Sequence, residues 1–215
     1  MRMLIVGATG NVGSRVARQA AQAGHDVVAF VRRPEAVATD SHITVVKGAV
    51  EDTASLTEAA RHVDVVFVAI TGKMSDSSFM KKRMPGVITV LTNAGGPRIV
   101  VTSVFGAGDT FDKASWFARV IYRTVLRGFL ADKAEADQLV RESGLPYSLI
   151  YPVNLKVTDK SKGSVDVVSK GSVTKVPGLP TLSMDEAARG ILAVITEKTE
   201  DGGEYVLTPP RGWRA

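Results

Sequence analysis

The chain has 215 residues, a length that suits one generous domain better than two. At that size roughly 70% of the unfolded surface can be buried, so no metal or disulfide staple is needed. Cysteine is absent, which excludes disulfides and thiol chemistry. No apolar run approaches the roughly 20 residues of a membrane span. Residues 3–6 are far too short for an export signal, so a soluble cytoplasmic protein with no membrane partner is expected. Lys and Arg number 27 against 22 Asp and Glu, a modest net charge of +5. The densest basic cluster, Lys81-Lys82-Arg83, carries no interleaved aromatic residue and suits a solvated face better than a nucleic-acid partner.

The first predicted strand, residues 3–6, runs straight into Gly7-Ala8-Thr9-Gly10-Asn11-Val12-Gly13, and a helix is predicted over 12–23. Gly7 permits the tight turn. Gly10 lets a pyrophosphate approach the backbone, and Gly13 lets the helix sit close to the strand. The unpaired N–H groups at the helix start then face the phosphates, where the helix dipole also favours negative charge. The second strand, 27–31, ends at Arg32-Arg33-Pro34. A binder of the unphosphorylated dinucleotide places a carboxylate there, about 20 residues past the glycines, to bond the ribose 2′-hydroxyl. Two arginines stand instead, and a guanidinium fork matches a 2′-phosphate. NADP(H) is therefore the expected cofactor.

Strand 43–46 and helix 53–61 follow, then strand 65–70, which delivers Thr71-Gly72-Lys73. After a helix over 77–93, strand 99–102 delivers Ser103-Val104-Phe105-Gly106. Within 111–130 lie Trp116, Phe117, Ile121, Tyr122 and Val125 at roughly helical spacing, which fits core packing, a lid over a flat substrate, or a dimer surface. A helix over 132–143 opens with Asp132 and Lys133. Strand 147–151 delivers Pro152-Val153-Asn154-Leu155, and 156–180 reads as loop. Ser183 is a plausible N-cap for a helix over 184–197, with Glu186 completing a capping box. Residues 205–207 read as a final edge strand.

Short, continuously apolar strands imply burial on both faces, and their alternation with helices implies right-handed βαβ units. The expected fold is α/β: a Rossmann-type doubly wound parallel sheet in three layers, with residues 1–215 as a single domain. Ligands of such sheets bind beyond the carboxyl ends of the strands. The candidates there are Thr71, Gly72, Lys73, Ser103, Asp132, Lys133, Pro152, Val153 and Asn154, so the substrate pocket is expected from segments around 103–133 and 152–180. Lys73 and Lys133 also fit solvated positions. None of the four tyrosines begins a Tyr-x-x-x-Lys motif, which argues against ordinary alcohol dehydrogenation or sugar epimerisation. His25, His42 and His62 all lie in the first third, and two of them precede strands, at the opposite edge. They suit structural or solvated roles and form no metal site.

The glycine turn, Val31-Arg32, Thr102-Ser103-Val104-Phe105 and the stretch from Asp132 to Leu145 together resemble the atypical short-chain dehydrogenases of the biliverdin reductase B and NADPH-dependent flavin reductase type. That branch also holds the NmrA-like regulators. The resemblance implies an NADP-binding monomer or small homo-oligomer that moves hydride to a planar, conjugated small-molecule acceptor such as a flavin or quinone. It further implies that Ser103 lies beside the nicotinamide and the acceptor, that Thr9–Val12 and Arg32 hold phosphates, that Ala49 and Val50 pack near the adenine, and that Lys73 lies near the 2′-phosphate or pyrophosphate. Lys133, where the reductase has histidine, is then placed to protonate the product through water. The chain departs from the family's habits at Ala49, often aspartate, and at Tyr151, often arginine. Two alternatives stay open: a non-catalytic NADP(H) sensor, and a dedicated reductase or isomerase of one specialised metabolite.

Overall fold

The computed structural model describes residues 1–158, 163–197 and 202–215. Positions 159–162 of the predicted loop lie outside the described residues. Among the described residues are ten strands and six α-helices. The strands are β1 (Arg2–Val6), β2 (Asp26–Val31), β3 (Ile43–Lys47), β4 (Val65–Val68), β5 (Arg98–Thr102), β6 (Tyr147–Pro152), β7 (Asn154–Lys156), β8 (Asp166–Ser169), β9 (Thr181–Ser183) and β10 (Gly203–Thr208). The helices are α1 (Gly13–Gln22), α2 (Thr53–Ala60), α3 (Phe79–Asn93), α4 (Trp116–Thr124), α5 (Arg127–Arg141) and α6 (Met184–Thr196).

Eight strands form one sheet in the order β3-β2-β1-β4-β5-β6-β10-β8, parallel throughout except for β8. The remaining two, β7 and β9, form a short parallel pair beside it. The apolar runs explain this arrangement. Met3–Val6, Val65–Val68 and Ile99–Val101 are buried along their whole length, as strands covered on both faces must be. Helix α1 packs against α6, while α2, α3 and α5 pack in a row with α4 beside α5, giving two helical layers around the sheet. Strand order reverses between the parallel neighbours β1 and β4, and the crevice beyond the carboxyl ends of those strands is where such sheets bind ligands.

Three expectations change. The final strand is not an edge: β10 lies between β6 and β8, and Val206 and Leu207 are fully buried. The edge is β8, drawn from the segment expected to be loop. Helix α5 begins five residues before Asp132, so it carries Phe129 as well as Lys133. Strand β4 stops at Val68, which leaves Ala69 and Ile70 in a loop over the crevice. The capping box at α6 is present: Ser183 Oγ accepts from the Glu186 amide at 3.1 Å, and Glu186 Oε2 accepts from the Ser183 amide at 2.8 Å.

Candidate functional site

The β1–α1 turn is built by backbone that tolerates no side chain. Gly7 has φ +93°, a conformation L residues rarely adopt, and a Cβ there would meet the Ala69 carbonyl oxygen at 3.1 Å. A Cβ on Gly13 would run into the Gly7 carbonyl oxygen, so the helix can approach the strand this closely only with glycine. Helix α1 has no side-chain cap at its start. Among the described residues, the amides of Asn11, Val12 and Gly13 find no acceptor. The positive end of α1 is thus left open.

That end opens into a cleft of about 600 Å³. Of the sequence candidates, Gly7, Thr9, Gly10, Asn11, Val12, Arg32, Arg33, Val50, Thr71, Ser103, Lys133, Pro152, Val153 and Asn154 line it, whereas Gly13, Ala49, Gly72 and Lys73 do not. Gly13 is packed against the turn, and Gly72 lies against Phe79, where a Cβ would meet the Phe79 Cβ at 2.5 Å. Lys73 is exposed on the loop after β4. No lining residue comes from the described part of 156–180. Arg32 and Arg33 are exposed at the cleft, with no ion pair among the described residues. A third arginine, Arg83, is already engaged: its Nε lies 2.6 Å from Glu51 Oε1, and its guanidinium sits 4.0 Å over the Phe79 ring.

The far end of the cleft is built differently. Ser103, just past β5, donates its hydroxyl to Asp137 Oδ2 at 2.6 Å. Lys133 is only 3% exposed and donates from Nζ to the carbonyls of Thr102 at 3.2 Å and Ile70 at 3.4 Å. Burial pushes the Lys133 ammonium down to about 8, against the opposing pull of Asp137 and Asp132. Burial likewise pushes the Asp137 carboxyl up to about 6, against the Ser103 bond and the charges of Lys133 and Arg141. Asp132 does not face the cleft floor. It accepts from the Met80 and Lys81 amides, both at 2.9 Å, and so caps α3 from the neighbouring helix.

Sequence reasoning missed several lining residues. Phe30, Ile70, Met74, Phe79, Leu126, Phe129 and Met184 join Val104 and Val153 in the apolar wall. Phe129 had a usable signal. It stands four residues before Lys133 on the same helix, and both line the cleft, so the spacing of Tyr-x-x-x-Lys is present without the hydroxyl. The aromatic segment splits in two. Tyr122 is buried beneath Gly106, while Trp116 (72%) and Val125 (70%) are exposed and line no part of the cleft. The three histidines do not line it either. Among the described residues no helix is long and apolar enough to cross a membrane, and no group of three or more His, Asp or Glu could hold a metal ion.

The family described as NAD(P)H-binding matches residues 7–198. Among curated proteins, a probable pinoresinol-lariciresinol reductase from Arabidopsis thaliana is 28% identical over 155 residues, covering 69% of this chain and 46% of its own length. The chain thus spans about half the length of curated relatives of that kind. Among solved structures, a short-chain dehydrogenase/reductase from Veillonella parvula in complex with NADP superposes with a TM-score of 0.79 at 16% identity, over 98% of this chain and 95% of that one. ChuY, an anaerobillin reductase from Escherichia coli O157:H7, superposes with a TM-score of 0.75 at 19% identity, over 98% of both chains. Both share the fold.

Proposed function

The chain belongs to the NAD(P)H-binding family, and from that premise we propose that it is an NADPH-dependent oxidoreductase that passes hydride to a flavin, a quinone or a similar planar conjugated acceptor. The observation that carries this proposal is the polarity of the cleft. One end offers amides and two arginines that have no partner among the described residues. The other offers an apolar wall, one hydroxyl and one buried ammonium.

The residues fit the dinucleotide. The open amides of Asn11 to Gly13 and the bare backbone of Gly10 suit a pyrophosphate. Arg32 and Arg33 stand where a 2′-phosphate needs a fork, and Glu51, the carboxylate in the cleft lining, is already paired with Arg83. Ser103 Oγ, anchored by Asp137, orients the nicotinamide and the acceptor. Phe129, Leu126, Ile70 and Met184 exclude water and give a flat ring a surface to lie on. When bound, the reduced nicotinamide supplies the hydride. Among the described residues no tyrosine lines the cleft: Phe129 stands four residues before Lys133, where carbonyl reduction would call for one. Acceptors whose own rings take up the electrons need little more from the protein than position and dryness. The relative from Arabidopsis thaliana and ChuY are both named as reductases, which supports a reductive role.

The test is an NADPH-consumption screen over flavins, quinones and tetrapyrroles, followed by absorbance, with NADH in parallel. Turnover with NADPH and at least one conjugated acceptor is expected. Tight NADP(H) binding with no consumption against any acceptor would replace the enzyme with a cofactor-binding sensor.

A further inference from the structure

Beneath the cleft lies a buried polar cluster that holding the dinucleotide does not require. Asp137 is 2% exposed and faces charged or titratable groups from every element around it. Its own helix contributes Lys133 and Arg141, the end of β5 contributes Ser103, and β6 contributes Tyr151. Most of these are already committed. Arg141 binds Glu204 on β10 at 2.7 and 3.2 Å and the Tyr151 hydroxyl at 2.8 Å. Glu204 also pairs with Lys170, which reaches Asp109 at the surface. Lys133 gives its hydrogen bonds to two carbonyls. What remains for Asp137 is the Ser103 hydroxyl on Oδ2 and the nearby Tyr151 hydroxyl, which also holds the carboxyl down but turns its hydrogen to Glu204 at 3.3 Å, so that among the described residues Oδ1 is buried without a hydrogen-bond partner.

A buried carboxylate with one orphaned oxygen is costly to keep ionised. A proton on Oδ2 removes the charge and keeps the short contact, but the hydrogen bond then reverses. Asp137 donates to Ser103 Oγ, and the Ser103 hydrogen is free to point into the cleft.

We propose that Ser103 and Asp137 form a two-state proton dyad: with Asp137 ionised, Ser103 presents only lone pairs to the cleft, and with Asp137 protonated it presents a donor. The proposal rests on the functional reading above, and it assigns the proton that reduction of the acceptor consumes. The hydride comes from the reduced nicotinamide of that reaction. The accompanying proton leaves Ser103 Oγ for a heteroatom of the acceptor. A new Oγ–H bond forms with the proton from Asp137 Oδ2, Asp137 is left as carboxylate, and one proton from solvent restores it. Asp137 acts through Ser103 and is a positioning residue.

The test has an arm that needs no cofactor. Difference infrared spectroscopy of the free protein between pH 4.5 and 8 should show a carboxylic-acid carbonyl band that disappears around pH 6 in the wild type and is missing in Asp137→Asn. In Ser103→Ala the same band should persist to higher pH, because the lost hydrogen bond favours the charged form. In the turnover arm, wild-type kcat with the acceptor found above should fall as pH rises through 6. Asp137→Asn should be at least 10-fold slower at pH 5.5 and flat across the same range. A wild type without the band, or a titration that Ser103→Ala leaves unmoved, overturns the dyad. So does a turnover inflection that survives in Asp137→Asn. If no acceptor is reduced at all, the functional reading falls, and the infrared titration alone decides whether Asp137 holds the proton.

Discussion

The two ends of the cleft solve opposite electrostatic problems. At the β1–α1 turn the protein leaves donors unsatisfied among the described residues: the Asn11 and Val12 amides at the cleft, the buried Gly13 amide behind them, and the exposed Arg32 and Arg33. At the β5–α5 end it buries its polar groups and supplies their partners itself: Ser103 to Asp137, Lys133 to two carbonyls, Arg141 to Glu204 and Tyr151. An exposed unpaired cation costs little to keep, because water solvates it until an anion arrives. A buried one would be ruinous, so its surroundings must be complete before any ligand binds. The first end is therefore shaped to gain charge from a ligand. The second is shaped to hold a geometry, and among the described residues only Asp137 Oδ1 and Thr102 Oγ1 are buried side-chain atoms that escape pairing there.

Four measurements would sharpen or break this contrast. The largest effect is expected at Gly13. In Gly13→Val the branched side chain must displace the Gly7 carbonyl, so overpacking of about 1–3 kcal/mol should appear in chemical denaturation, with cofactor binding undetectable by calorimetry. A well-bound cofactor in that variant would mean the turn is not the cradle. Next, Arg32→Ala combined with Arg33→Ala removes charge without touching any internal partner. Affinity for NADP should fall roughly 10- to 150-fold, the worth of a hydrogen bond to a charged group, with folding stability unchanged. Equal losses for NAD and NADP would show that these arginines do not read the 2′-phosphate.

At the other end the effects should be reversed in kind. Ser103→Ala is expected to lower turnover by about 10- to 100-fold, or roughly 1.4–2.7 kcal/mol of positioning, with little change in cofactor affinity. Wild-type-like turnover would remove Ser103 from the chemistry. The subtlest measurement is stability against pH. Asp137 titrates higher in the folded state, at about 6, than in the unfolded chain at 3.8. Its contribution is therefore fully present below pH 4 and is lost as pH rises through 6. Asp137→Asn lacks that loss. Its stability relative to wild type should climb across this window and then level off. A flat difference would mean that Asp137 is ionised throughout.

Much of the fold could be read from residues close together in the chain. The apolar runs mark the parallel strands, the glycine turn marks the first crossover, and Ser183 with Glu186 marks the start of α6. These features rest on backbone conformation and on hydrogen bonds that span a few residues, so local sequence is enough to specify them. Arg32 was legible for the same reason: its distance from the glycines is set by one strand–helix–strand unit. The inner position of β10 was not, because a short half-apolar strand looks alike at an edge or beside one, and only pairing with β8 distinguishes the two. Asp132 and Asp137 were hidden more deeply. On α5 the sequence puts Asp132 beside the nicotinamide and gives Asp137 no role, yet the first caps a helix 52 residues earlier in the chain and the second binds a serine 34 residues away. Tertiary packing alone decided that. A side chain's charge and hydrogen-bonding capacity are written in its identity, but whether water, a ligand or another side chain satisfies them depends on what the rest of the chain brings within three ångströms.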